Sequence, residues 1–181
     1  MKKYLSVIPL VFLLCFVVGC QDKAAMAELE EFRAKAMAEE QNNAKLMNVV
    51  KKIQEAMDNH DSIAIAQCYA EDATMVMPGE PEPVRGREAI AKNQEVFFRA
   101  MPDVNVKFIT LLSGNHIVFE GTTEGTFTGP MTTPAGDIPP TGKSAKFKFV
   151  FIAKVNADGL IEEDRTYYDT ADFMRQLGII D

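Results

Sequence analysis

Pro139-Pro140-Thr141-Gly142-Lys143 is a turn, and Phe147-Lys148-Phe149-Val150-Phe151-Ile152-Ala153 after it reads as a strand. Asn156-Ala157-Asp158-Gly159 turns the chain back into a second strand, Leu160–Tyr168. Asp169-Thr170-Ala171-Asp172 is a helix start, and Gly178 is the helix stop. The stretch from Pro139 to Gly178 is therefore a hairpin feeding a terminal helix. Acidic and aromatic side chains crowd between Glu162 and Asp169, so chemistry is expected there.

Working upstream, Val104–Ser113 and Asn115–Phe127 keep the same period of two and are joined at Gly114-Asn115. Thr128 to Gly142 between the two hairpins is a proline-rich loop, of the kind that wraps an opening. Before residue 104 the period changes to that of helices. Leu46, Val49, Val50, Ile53 and Met57 give one helix a core face. Asp61 caps a second helix, predicted over Ser62–Ala70, and Ala73–Pro78 is a short strand stopped by proline. Gly79 to Arg87 is a loop, and a third helix from Arg87 turns Ile90, Val96 and Phe97 inward until Pro102. Helices grouped ahead of long strands predict an α+β fold: a strongly bent antiparallel sheet, helices on its concave face, and a short C-terminal helix.

The start of the chain carries an address. Lys2 and Lys3 precede a short apolar run that ends in Val17-Val18-Gly19-Cys20. That run is too short to span a bilayer, which takes about 20 residues, and it reads as a secretory signal. Its end resembles a bacterial lipobox. The resemblance implies cleavage after residue 19, acylation of Cys20, and a lipid-anchored lipoprotein of the bacterial cell envelope. Gln21 rather than aspartate after the cysteine mildly favours the outer membrane. Gln21 to Gln41 is Ala-, Glu-, Lys- and Met-rich and reads as a helical tether, leaving 42–181 as the domain. Without Lys2 and Lys3 the chain has 17 basic against 26 acidic residues, a net charge of −9, which argues against nucleic acid as a partner. Cys68 is then the one thiol left besides Cys20, so no internal disulfide is expected. With His60 and His116 as its two histidines, the chain has no metal-ligand spacing, and no phosphate-binding glycine loop occurs. Neither metal nor cofactor is expected.

Three further segments carry a resemblance. Asp61-Ser62-Ile63 through Tyr69-Ala70-Glu71-Asp72-Ala73, and Val84-Arg85-Gly86-Arg87-Glu88-Ala89-Ile90, resemble the helices of the cone-shaped fold named after nuclear transport factor two. Pro139-Pro140-Thr141-Gly142-Lys143, Gly159-Leu160-Ile161-Glu162-Glu163, Tyr168-Asp169 and Arg175-Gln176-Leu177-Gly178 are similar to its SnoaL-like polyketide cyclase branch, also called ester cyclases. The resemblance spans Asn42 to Asp181. It implies a conical apolar pocket, often a homodimer paired through the sheet, and in the cyclases a pocket carboxylate that moves a proton beside a carbonyl. Family members often carry Glu-His-Trp-Asp in the last strand. The matching residues here are Glu163-Asp164-Arg165-Thr166, and only Asp169 survives from the later pattern.

Asp164 and Asp169 are thus the catalytic candidates. Period two places Glu162, Asp164, Thr166 and Tyr168 on one face and Glu163, Arg165, Tyr167 and Asp169 on the other, and either face can turn inward. In a dry pocket Asp164 is a general acid or base. On the outside it belongs to a charge ladder with Arg165 and the lysines of the neighbouring strand. Asp169 has an alternative role as cap of the terminal helix. For a small hydrophobic ligand the candidate contacts are the aromatics Tyr69, Phe97 and Tyr168, with Met75, Met77 and Met101 as malleable lining. His116 and Glu120 share a strand face and offer a polar patch or an acid/base pair, although exposure is the default beside a turn. Three functions remain: a binding pocket, a proton-transferring cyclase or isomerase, and an interaction module that pairs through its sheet.

Overall fold

A computed structural model describes residues 23–133 and 136–181, so the expected signal segment, Cys20 and residues 134–135 lie outside the described residues. The chain divides into two compact units, Met1–Gln41 and Asn42–Asp181. The described part of the first unit is helical, with Met26, Leu29, Phe32 and Met37 exposed. Among the described residues no helix is long and apolar enough to cross a membrane.

The second unit carries the fold. Helix α1 (Lys23–Asp58) enters it and buries Leu46, Val49, Val50, Ile53 and Ala56 along one stripe. Asp61 caps α2 (Ser62–Gln67) by accepting from the Ala64 N–H at 2.8 Å. Then follow β1 (Tyr69–Val76), β2 (Val84–Arg85), α3 (Arg87–Ala100), β3 (Asn105–Ser113) and β4 (His116–Thr126). A small hairpin, β5 (Met131–Thr133) and β6 (Gly136–Ile138), interrupts the long loop before β7 (Ser144–Val155), β8 (Ile161–Tyr168) and α4 (Thr170–Leu177). The main sheet runs β2-β1-β8-β7-β4-β3. Short strands of two or three residues flanked by glycine and proline carry little periodic signal, so β2 and the β5–β6 hairpin were legible only as loop.

Two expectations are corrected. The predicted second helix ends at Gln67, because Tyr69 is already paired with Ile161 in the sheet and Cys68 accepts at its carbonyl from the Ile161 N–H at 2.9 Å. Tyr69 is thus a strand residue rather than a helical one. Nor is the sheet purely antiparallel: β1 lies parallel to β8, with Met75 beside Asp164.

Alternation sorts the long strands cleanly. On β4 the residues Ile117 and Phe119 are buried while Glu120 is exposed. On β7 Ala145, Phe147, Ala153 and Val155 are buried while Lys146 and Lys148 are exposed. Gly121 allows the bend: a Cβ there would meet the Phe108 Cβ and the Phe149 ring at 2.8 Å, and the Lys107 carbonyl closer still. The two motifs nearest the C-terminus meet across the inner end of the sheet. The Thr141 hydroxyl donates to the Leu177 carbonyl at 2.7 Å, and the Gln176 side chain accepts from the Lys146 N–H at 2.7 Å and donates to the Lys146 carbonyl at 3.0 Å. Those bonds dock α4 so that Phe173 packs onto Phe147 and Tyr168.

Candidate functional site

The inner face of the sheet is built in rows set by strand register. Ile117, Ala153, Asp164 and Met75 form one row, in which Ile117, Ala153 and Asp164 are completely buried and Met75 nearly so. The next row is Phe119, Phe151 and Thr166, followed by Gly121, Phe149 and Tyr168, then Thr123 and Phe147. Above the Asp164 row the helices stand off from the sheet and leave a cavity of about 270 Å³. That lies near the lower end of ligand pockets, which run roughly 300–1,000 Å³. Its floor and sides are the rings of Phe108, Phe119, Phe147, Phe149 and Phe151, with Ile53 and Met57 of α1 and Ile65 of α2 opposite. Phe119 stacks between Phe108 and Phe151, with ring centroids 4.1 and 5.2 Å away. Polar groups on the wall are few: the hydroxyls of Thr123, Thr166, Tyr69 and Tyr168 from the sheet, and Glu80, Asn93, Gln94, Thr132 and Thr133 from α3 and the loops.

Five of the expected contact residues, Tyr69, Met75, Met77, Phe97 and Tyr168, lie on this wall. Met101 does not. It is fully buried core, with its terminal methyl group against the position of Gly125. His116 and Glu120 are corrected as well: β4 turns Ile117 and Phe119 inward, so both polar residues fall on the outer face, where Glu120 is exposed. Asp169 is a helix cap. Its carboxylate accepts from the Asp172 N–H at 2.8 Å, and its side chain is not on the cavity wall. Asp169→Ala is expected to cost about 1 kcal/mol of stability, visible as a lower urea midpoint, while leaving the pocket in place. An unchanged midpoint would remove the capping assignment.

Asp164 is the inward carboxylate. Glu162 was expected to share its face, but a register shift opposite Lys154 and Val155 throws Glu162 outward, where it pairs with Lys154. Glu163 likewise pairs with Arg165 outside, at 2.6 Å. Asp164 itself has no exposed surface; neither carboxyl oxygen has a partner of full hydrogen-bond geometry, and the Tyr69 hydroxyl interacts with it only loosely. Burial drives its pKa from 3.8 up to about 7, with Tyr69 pulling it back and Glu163 adding to the rise. In turn Tyr69 is raised well above the ordinary phenol value, by its own burial first and then by Asp164. Tyr69 is on the cavity wall and Asp164 is not: by register it lies one row below Thr166, which is. Arg87 holds the Tyr69 backbone, donating Nε and a terminal N–H to the Tyr69 carbonyl at 3.0 and 2.7 Å. Among the described residues no group of three or more His, Cys, Asp or Glu could hold a metal ion.

What the sequence missed on the wall was the Phe147-x-Phe149-x-Phe151 repeat as a lining rather than a strand core. The signal was its alternation with Lys146 and Lys148. Thr123, Asn93 and Gln94 carried no signal of their own.

Solved structures share this architecture. A protein of Jannaschia sp. CCS1, provisionally described as a SnoaL-like polyketide cyclase, superposes with a TM-score of 0.64 at 16% identity, over 76% of this chain and 94% of its own. TsrD from Streptomyces laurentii gives 0.64 at 20% identity, over 76% and 97%. A protein of Catenulispora acidiphila DSM 44928 with a ketosteroid isomerase-like fold, solved with trimethylamine, gives 0.59 at 19% identity, over 72% and 92%. No curated protein matches the sequence. The sequence model of the SnoaL-like polyketide cyclase family matches residues 47–177, which takes in every strand, the later helices and the end of α1 that lines the cavity. The chain is a member of the SnoaL-like polyketide cyclase family.

Proposed function

We propose that the domain takes up one small hydrophobic molecule in the aromatic cavity, and that a lipid on Cys20 holds the chain at a bacterial cell envelope. The observation that supports the first part is the wall itself. Five phenylalanine rings from three strands line a cavity rather than filling it, and apolar surface left open inside a domain is a place where a ligand gains by displacing water. The trimethylamine of the Catenulispora structure is a small molecule bound by a protein of this fold. Native mass spectrometry of the purified chain is the test: one small-molecule adduct per chain is expected. Thr123→Phe, which pushes a ring into the cavity from β4, should abolish the adduct while circular dichroism stays that of the wild type. A wild-type chain that carries nothing and accepts no offered hydrophobic probe would contradict the reading. The anchor rests on Lys2, Lys3 and the Val17-Val18-Gly19-Cys20 ending. Metabolic labelling with a palmitate analogue should mark the wild type and not Cys20→Ala, and labelling that survives the substitution rules the anchor out.

A second reading has one observation in its favour, the buried Asp164 carboxyl that interacts with the Tyr69 phenol of the cavity wall. A carboxyl with a pKa of about 7 is matched to accepting and returning a proton near neutral pH. In a cyclase or isomerase reading, Asp164 exchanges the proton and Tyr69 supplies the hydroxyl that meets a carbonyl oxygen. If turnover of a carbonyl substrate is found, Asp164→Asn should remove it with little change in KM. Retention of kcat in that variant would exclude the role.

A further inference from the structure

We propose that the molecule the cavity takes is a hydrophobic amine, and that Glu80 is the residue that selects it by receiving the ammonium at the mouth. This rests on the binding reading above and names the class of ligand. Among the described residues that line the cavity, Glu80 is the one charged side chain, and no lysine, arginine or histidine is present. The arginines of α3 are committed elsewhere. Arg99 donates to the Thr132 hydroxyl at 2.8 Å, Arg87 donates to the Tyr69 carbonyl, and neither is on the wall. An anionic head group would therefore enter a cavity with no cation to receive it, and an unpaired charge is costly in an apolar site. An ammonium finds both things it needs. Aromatic faces attract it through their negative ring centres, and Tyr168 and Phe97 stand on the wall with Glu80. Glu80 also acts on that ring: after burial, it is the second cause raising the Tyr168 pKa.

Glu80 is placed by a turn rather than by a loose loop. Met77-Pro78-Gly79-Glu80 closes through the Glu80 N–H to the Met77 carbonyl at 3.3 Å, with Gly79 at φ 88°. Proline second and a positive-φ glycine third are the requirements of a type II turn. The turn carries Met77, Pro78 and Glu80 onto the cavity together. The other polar groups on the wall are threonine and tyrosine hydroxyls and the Asn93 and Gln94 amides, none of them charged, so the apolar end of the ligand goes inward and the amine stays with Glu80 at the mouth.

Calorimetry on the full chain with three probes of one shape decides it: 4-phenylbutylamine, 4-phenylbutanol and 4-phenylbutanoate. The expected order is amine, alcohol, carboxylate, with the carboxylate at least about tenfold weaker than the amine. Glu80→Gln should weaken the amine about threefold, as expected for one partly solvated ion pair, and leave the alcohol unchanged. A carboxylate that binds as tightly as the amine, or an amine affinity unmoved in Glu80→Gln, overturns the assignment while leaving the pocket intact. Failure of all three probes to bind overturns the pocket reading and this inference with it.

Discussion

Asp164→Asn is expected to abolish a loss of stability of about 4 kcal/mol that the wild-type domain suffers between pH 4 and pH 8. The sign follows from the direction of the shift. The carboxyl titrates at 3.8 when unfolded and about 7 when folded, so between those values the unfolded chain has released a proton that the folded chain retains. Stability from this group is fully present below pH 3.8 and is lost as pH rises through 7. At 1.36 kcal/mol per pKa unit, the shift amounts to about 4 kcal/mol. The residue has no exposed surface, so solvent does not screen the effect. Urea midpoints at pH 4, 6 and 8 for wild type and variant give the measurement, with other carboxylates cancelling between the two proteins. Parallel curves would mean that Asp164 is not the desolvated acid. A variant more stable at pH 8 yet unable to turn over a substrate would put the group among those kept for chemistry at the expense of stability.

Phe119→Ala should cost about 3–5 kcal/mol, the usual range for removing a buried phenyl ring. Phe119 is 3% exposed and stacked on both sides, so its loss leaves the rings of Phe108 and Phe151 facing a gap that neither strand can close, since β4 is hydrogen-bonded to β3 and β7 along its whole length. The gap merges with the existing cavity. The same variant should therefore accept a probe one ring larger than the wild type does, as measured by calorimetry. A melting temperature within a degree or two of wild type would show that the stack is not part of the core.

The fold was legible because its long elements state their period plainly. Leu46, Val49, Val50 and Ile53 mark a helix face, the 104–168 region alternates through four strands, and Gly178 ends α4 with φ 70° as a C-terminal glycine should. The site was only half legible, for a geometric reason. Period two divides β4 and β8 into faces without saying which is inner, so His116 and Glu120 were placed by chemistry and fell on the outside. Asp164 turned inward because a bulge near Glu162 resets the alternation, and one extra residue in a strand leaves no mark on a hydrophobicity pattern. Tyr69 was hidden differently. Its helix-like neighbours outvoted a pairing with Ile161, a partner far along the chain that local propensity does not register.

That long-range pairing also sets the order of assembly. β1 is made before β3, β4 and β7, yet its parallel neighbour β8 follows all of them, and β7 reaches β1 only through β8. The hairpins β3–β4 and β7–β8 can form as they emerge, whereas α1, α2 and β1 wait with their apolar faces uncovered until Ile161–Tyr168 arrives. The domain is therefore one that a growing chain cannot complete by stages.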